Sequence, residues 1–376
     1  MLNAMKASTR RGRGRAHRIA TGLVAALTAS LVLTACGGSD DSVGADGKKL
    51  TKVKLNLSWV DQGEYAGWYL ADKKGYFEDE GIDIEITPGG PDVNPIQILE
   101  AGTVDIAMGS YGAQLAAREQ GADLVSIAPA FERAANILVY FADRPELADP
   151  KNWKGKKVSL WGGWNATFAA TLGKNGLTTD DVKISNQSFD MTNFVKEGVD
   201  LADAMVYNEW AQAISGADGR ELAYFDYNKA GTATLEQNLI VKRDYMEKNP
   251  ELIKGFLKAS MKGWLDVRDD PDAGVKATLE IGTALPEKYQ VWQVNEINKL
   301  IWPSTAGLFS VTDELWKKNE DILVENDVIK KAVDHDAAVD MSYRDEVAKE
   351  LEDEGFDLIG SSFKPQEIDP YTYFKD

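Results

Sequence analysis

From residue 53 onward the hydrophobic period of the chain switches repeatedly between that of a strand and that of a helix, which leaves few architectures open. Val53-Lys54-Leu55-Asn56-Leu57 alternates apolar and polar residues, as a half-buried strand does. A loop over Trp59–Gly63 follows. Ala66, Tyr69, Leu70 and Phe77 then recur at helical spacing, and Gly75 marks the helix end. Ile82, Ile84 and Ile86 give a second strand, Gly89-Gly90-Pro91 a turn, and Pro95 to Ala101 a short helix closed by Gly102. Strands over 104–108 and 124–128 flank a helix that opens at Gly109-Ser110 and ends near Gly121. Repeated β-loop-α units predict an α/β fold, an open parallel sheet with helices on both faces.

The pattern continues with strands over 136–141, 158–160, 182–184, 204–206 and 239–241, and a helix through Phe168 and Leu172. Asn136–Phe141 and Asn238–Lys242 stand about a hundred residues apart and bracket a self-contained α/β segment. They are expected to be the paired hinge strands of a two-lobed protein. Lobe 1 would cover 51–140, lobe 2 would cover 141–238, and 239–350 would return to lobe 1 as a mostly helical part. Leu252, Phe256, Leu257, Met261 and Trp264 form one amphipathic helix face, continued over 292–301 and 315–324. The stretch 351–376, with Pro365 and Pro370, reads as an extended tail.

The first 35 residues are of another kind. Lys6, Arg10, Arg11, Arg13, Arg15 and Arg18 precede an apolar run from Ile19 to Leu33. That run is shorter than the roughly 20 residues of a membrane span and suits a signal peptide. It ends in Leu33-Thr34-Ala35-Cys36, which resembles a lipobox, where the small residue permits cleavage and the cysteine thiol accepts diacylglycerol. Arg10-Arg11 lacks the apolar residues that follow a twin-arginine signal, so the general secretion route is expected. Residues 36–50 contain GGSDDSVGADG, which cannot bury enough surface to offset the entropy of ordering, and are expected to be a tether. The folded part would then stand on the outer face of the cytoplasmic membrane, lipid-anchored through Cys36.

The formal charge of −18 becomes more negative once the basic leader is removed. That repels nucleic acid and anionic head groups, and is also what an ordinary extracellular surface carries. Cys36 is the only cysteine, so no intramolecular disulfide can form. Beyond the leader the only histidine is His335, which rules out a His/Cys metal cluster and argues against a histidine base. About 330 residues remain after leader and tether, enough for two domains.

Four loops carry the candidate binding residues. Trp59 follows the first strand, and ligands in open α/β sheets bind beyond the carboxyl ends of strands; the alternative is core packing. Tyr65 and Trp68 come next, of which Trp68 is assigned to the core. Ser110 and Tyr111 sit at a strand end and helix start, where free N–H groups and a hydroxyl can hold an oxygen, or where Ser110 simply caps the helix. Trp161-Gly162-Gly163-Trp164-Asn165 combines glycines that let a ligand approach with flat indole faces. Tyr207-Asn208-Glu209-Trp210 offers hydrogen-bonding groups between aromatic surfaces, or is a solvated helix start with Glu209 favoured by the dipole. There is no Walker loop, no G-x-G-x-x-G and no G-x-S-x-G.

Trp59, Tyr65-Ala66-Gly67-Trp68-Tyr69-Leu70-Ala71, Gly75-Tyr76-Phe77, Glu80-Gly81-Ile82-Asp83-Ile84 and Pro88-Gly89-Gly90-Pro91 resemble the pyrimidine-precursor and riboflavin-binding branch of the taurine/nitrate/sulfonate-type solute-binding proteins. Gly102-Thr103-Val104-Asp105-Ile106-Ala107 and Gly155-Lys156-Lys157-Val158 fit the same family, and the similarity runs from about residue 52 to about 345. The resemblance implies a type II periplasmic-binding fold with a small-molecule ligand clamped between two lobes. It also implies an ABC permease and ATPase as partners, no cofactor, no catalysis and a monomer. Thiamine-precursor binders commonly carry a histidine where this chain has Tyr65, and an acidic residue near Trp161–Asn165, where it has Trp164-Asn165. Those departures favour a larger, flat, neutral heterocycle such as a flavin. The eukaryotic pyrimidine synthase of this fold uses a histidine and a cysteine-rich motif that this chain lacks. Three other roles stay open: a receptor for an alkyl sulfonate or similar anion, a surface enzyme acting on a pyrimidine, and a sensor that signals to a membrane kinase.

If Cys36 is the lipid anchor, Cys36→Ala leaves the precursor uncleaved or releases the protein from membranes. Membrane fractionation checks this, and normal processing with full retention of the variant would contradict it.

Overall fold

The computed structural model describes Gly44, Gly47 and residues 49–161, 165–188 and 190–375. Cys36, the expected leader, most of the tether and Trp164 lie outside the described residues. In chain order the strands are β1 (Thr51–Asn56), β2 (Ile82–Thr87), β3 (Ile106–Gly109), β4 (Leu124–Pro129), β5 (Asn136–Phe141), β6 (Lys157–Leu160), β7 (Lys183–Asn186), β8 (Leu201–Met205), β9 (Leu222–Asp226) and β10 (Asn238–Lys242). They form two five-stranded sheets on one plan, β2-β1-β3-β10-β4 and β7-β6-β8-β5-β9. β1 runs parallel to β2 and β3, and β6 parallel to β7 and β8. One antiparallel strand is inserted in each sheet, β10 between β3 and β4, and β5 between β8 and β9.

The sheets are therefore mixed, not all parallel. Each antiparallel strand is the one that arrives from the other lobe, so it is not bound to the crossover helix that a parallel neighbour requires. This corrects the expected hinge. Asn136–Phe141 and Asn238–Lys242 do not pair with each other; they belong to different sheets. The first crossing lies at 130–135, ahead of the boundary expected at 140, and the second at 227–237. The crossings are laced together. The Ala130 amide donates to the Gln237 carbonyl at 2.7 Å, and the Asn228 side chain donates to the Ala134 carbonyl at 2.8 Å while accepting from its amide at 3.1 Å. Strand β9 was not foreseen. It is a short edge strand whose Tyr224 points outward, so it carries little of the buried alternation that reveals a strand.

The first lobe is covered by helices Ala66–Lys73 and Pro250–Asp269, whose apolar faces bury Trp68, Phe256, Leu257 and Trp264. They cross closely because glycines meet at the contact. A Cβ on Gly67 would run into the Trp264 indole, and one on Gly263 into the Gly67 carbonyl. Trp68 and Trp264 pack edge to face at 5.3 Å, which bears out the core assignment of Trp68. The C-terminal stretch is not a free extended tail. Helix Ser342–Asp353 runs past the boundary set at 350, and a helical turn at Pro370–Tyr373 docks on the second lobe. There the Tyr371 hydroxyl accepts from the Leu222 amide at 2.8 Å and donates to the Leu222 carbonyl at 2.9 Å, covering part of the β9 edge. Phe374 is buried against Tyr289 and Trp292. Among the described residues no helix is long and apolar enough to cross a membrane.

Gly67→Ala is expected to destabilise the protein by about 1–3 kcal/mol, the usual cost of overpacking a filled core. Urea denaturation checks it, and an unchanged midpoint would show that the helix contact relaxes freely.

Candidate functional site

A cavity of about 790 Å³ opens where the carboxyl ends of strands from both sheets face each other. β1 leads into Ser58 and Trp59, β3 into Ser110, β6 into Trp161, and β8 into Tyr207, Asn208 and Glu209; all of these residues line it. The Gly89-Gly90 turn supports the first loop from behind. The Gly89 amide donates to the Trp59 carbonyl at 2.8 Å, and a Cβ on Gly89 would collide with the Leu57 carbonyl, so the turn sits against the backbone that presents Trp59. Trp59 and Trp161 meet across the cleft edge to face, with centroids 5.4 Å apart.

Seven of the sequence candidates come together here: Trp59, Ser110, Trp161, Asn165, Tyr207, Asn208 and Glu209. Ser110 both lines the cavity and caps its helix, accepting from the Ala113 amide at 3.2 Å. Asn165 does the same for helix Ala166–Lys174, accepting from the Phe168 amide at 2.6 Å. Three candidates go elsewhere. Tyr65 is buried behind the wall, its hydroxyl 2.8 Å from the Ser58 Oγ. Tyr111 is the first helical residue after Ser110 and turns the other way, onto Trp316 and the Glu320 carboxylate at 2.8 Å. Trp210 packs on Tyr224 beside β9, where it lines a separate shallow groove. His335 is hydrogen-bonded to Glu320 and does not line the cleft.

Sequence reasoning missed the cleft's most telling feature. Four carboxyls line it, Glu64, Asp203, Glu209 and Glu236, and no described lining residue is a lysine, arginine or histidine. Each carboxyl is held by neutral donors. Glu64 accepts from the Gln62 and Gln237 side chains, both at 2.8 Å. Asp203 accepts from Asn136 Nδ2 at 2.7 Å, Asn165 Nδ2 at 3.2 Å and the Trp161 amide at 3.3 Å. Glu209 accepts from the Met205 amide and Asn208 Nδ2, both at 2.9 Å. Glu236, partly exposed to the cavity, accepts from the amides of Ala135 at 2.8 Å and Asn136 at 3.2 Å. Gln293, from helix Glu287–Ile301, ties the lobes by donating to Gln62 at 3.1 Å and Asn208 at 3.4 Å.

Burial pushes Glu64, Asp203 and Glu209 up to about 7 and Glu236 to about 8, against the lowering effect of the hydrogen bonds they accept. Mutual repulsion adds to this, since Glu236 feels Asp203 and Glu64, and Glu209 feels Glu64 and Asp203. The cleft therefore offers indole faces and carboxyls that are partly protonated near neutral pH, with no cation among the described lining residues. It suits a flat ring bearing N–H donors or positive charge.

The model of the family described as NMT1/THI5 like matches residues 62–274, and the chain belongs to that family. It is 24% identical to the formylaminopyrimidine-binding protein of Halalkalibacterium halodurans, over 68% of this chain and 78% of that one. It is 24% identical to the riboflavin-binding protein RibY of Chloroflexus aurantiacus, over 76% and 84%. The 4-amino-5-hydroxymethyl-2-methylpyrimidine phosphate synthase THI11 of Saccharomyces cerevisiae matches at 23%, over 71% and 81%, so identity alone does not set the binding proteins apart from the synthases. Among solved structures, the periplasmic aliphatic sulphonate binding protein SsuA of Escherichia coli superposes with a TM-score of 0.60 at 18% identity, over 76% of this chain and 96% of that one. The fold is that of a type II periplasmic binding protein.

The raised carboxyls set the pH dependence of the ligand-free protein. Between about pH 4.5 and about pH 7 the folded state keeps protons that the unfolded chain has released, so stability falls as pH rises through that window. Thermal unfolding is expected to give a higher Tm near pH 5 than near pH 8, and Glu209→Gln to flatten the difference. A wild-type Tm that rises over the same range would contradict the electrostatic account.

Proposed function

We propose that this chain is an extracytoplasmic binding protein, anchored through Cys36, that captures an amino-bearing flat heterocycle of the aminopyrimidine type and delivers it to an ABC permease and its ATPase. The observation that carries this reading is a cleft lined by four carboxyls, with no cation among its described lining residues, and spanned by Trp59 and Trp161. A carboxyl beside an aminopyrimidine forms two parallel hydrogen bonds, taking the exocyclic N–H and pairing with the ring nitrogen, whichever of the two holds the shared proton. The indoles supply stacking surface. The names of the relatives point to ligands of related chemistry, a formylaminopyrimidine and riboflavin.

The carboxyls also rank the alternatives. A sulfonate or nitrate would enter against four acidic groups with no cationic partner among the described lining residues, and the likeness to SsuA concerns the fold alone. A flavin would fit by size, but the dione edge of its ring needs donors. The amide N–H groups of Gln62, Asn208 and Gln237 are already directed at Glu64 and Glu209. The aminopyrimidine is therefore preferred over the flavin that the departures at Tyr65 and Trp164-Asn165 favoured. Capture is preferred over turnover because no cysteine or histidine is among the described residues that line the cleft, and His335 is bonded to Glu320 outside it.

Calorimetric titration with 4-amino-5-hydroxymethyl-2-methylpyrimidine, its formylamino relative, riboflavin and ethanesulfonate tests the reading. The expected result is one-to-one binding of a pyrimidine, recovered chemically unchanged, with Trp59→Ala weakening it by about tenfold to a hundredfold at unaltered stability. Binding of the sulfonate with none of the pyrimidines would overturn it.

A further inference from the structure

Asn136 is the first residue of β5 and lines the cleft at the point where the chain enters the second lobe. Its amide nitrogen donates to Glu236 Oε1 and its Nδ2 to Asp203 Oδ1, which fixes the orientation of the side chain. Its Oδ1 is then left without a hydrogen-bond partner, although the residue is only 5% exposed. Buried carbonyl oxygens are rarely left unpaired, and an orphaned one at a ligand cavity marks a place where a donor is missing. A second orphan lies nearby. The fully buried Tyr227 hydroxyl has no partner and lies within electrostatic reach of both Asp203 and Glu236.

Apart from the Tyr227 hydroxyl, the corner is lined by carbonyl and carboxyl oxygens. Glu236 takes only backbone N–H groups, and Asp203 takes the Asn136 and Asn165 amides and the Trp161 N–H. Asn136 and two acidic residues, Asp203 and Glu236, line the cavity here, with no cation among the described lining residues. The candidate occupants differ in how many donors they bring. A hydroxyl brings one. An N-acylated amine brings one N–H and adds a carbonyl oxygen that would meet other acceptors. A ring amino group brings two and no charge. A primary ammonium brings three N–H donors and the compensating charge.

We propose that Asn136, Asp203 and Glu236 form a subsite for a primary ammonium group, so that the cleft selects a pyrimidine with a free aminomethyl arm over its N-acylated counterpart. This rests on the reading of the cleft as a receptor for aminopyrimidines and adds the group that decides among them. Because Glu236 belongs to one crossing and holds the amides of the other, an ammonium placed there also bridges the two chain segments that join the lobes.

The test is titration calorimetry at neutral pH with 4-amino-5-aminomethyl-2-methylpyrimidine and its N-formyl derivative. The free amine is expected to bind at least about tenfold more tightly. Asn136→Leu should weaken the amine by about tenfold to a hundredfold and the formyl compound by clearly less, so that the preference between them narrows. Asn136→Ser and Glu236→Gln carry the same readout should the leucine variant fail to fold. Equal or tighter binding of the formyl compound, or equal weakening of both by a folded Asn136 variant, would overturn the subsite. Benzylamine separates this inference from the proposed function, since it keeps a flat ring and an ammonium but has no pyrimidine. If the pyrimidines do not bind while benzylamine does so in an Asn136-dependent manner, the subsite stands and the pyrimidine reading falls. If benzylamine fails as well, both fall.

Discussion

Four carboxyls grouped in one cleft, three of them buried, with no cation among the described lining residues, are the constraint around which the cleft is organised. Moving an ionised carboxylate out of water costs several kcal/mol even after relaxation, and grouping four of them adds repulsion. The fold answers in two ways. It surrounds each with neutral N–H donors, and burial holds the groups partly protonated near neutral pH. The same donors hold the architecture. Glu236 fixes the amides at the entry to β5, Asp203 fixes the Trp161 backbone and the Asn165 cap, and Glu209 fixes the end of β8. The site is thus built from the joints of the fold, and a ligand that supplies donors or charge would offset the cost of burying these carboxyls.

The shared plan of the two sheets explains where that site falls. Each lobe sends the carboxyl ends of its parallel strands toward the other, and each receives one antiparallel strand from the crossings. The crossings bond to each other, and Gln293 reaches Gln62 in one lobe and Asn208 in the other. Ligand-sized space therefore lies beside the connections about which such lobes would move, where small changes in side-chain contacts are levered into changes of domain angle.

Much of this was legible in the sequence because it rests on local signals. The alternation in Val53–Leu57 and Ile82–Ile86, the cap at Ser110, and the aromatic residues at strand ends all report short-range geometry. The mixed sheets were not legible, because nothing within Asn136–Phe141 or Asn238–Lys242 says which strand will lie beside it. Tyr111 and Trp210 were misplaced for a helical reason: each sits one residue from a true lining residue, and a step of one along a helix turns the side chain about 100° away. The acid cluster was hidden by abundance. Glu64, Asp203, Glu209 and Glu236 are four of 60 acidic residues spread over more than 170 positions, and only the fold separates them from the solvated majority.

Family membership and fold leave the ligand open, since relatives of this architecture are named for a pyrimidine, a flavin and a sulphonate. The charge of the cleft is what narrows it. The most direct measurement is a carbon-13 NMR titration of the glutamate and aspartate carboxyls, with and without saturating aminopyrimidine. The account predicts that Glu64, Asp203, Glu209 and Glu236 titrate near neutral pH in the free protein, and that ligand returns the carboxyls it touches to the ordinary acidic range. Ordinary titration of all four in the free protein, or values that ligand leaves unmoved, would contradict it.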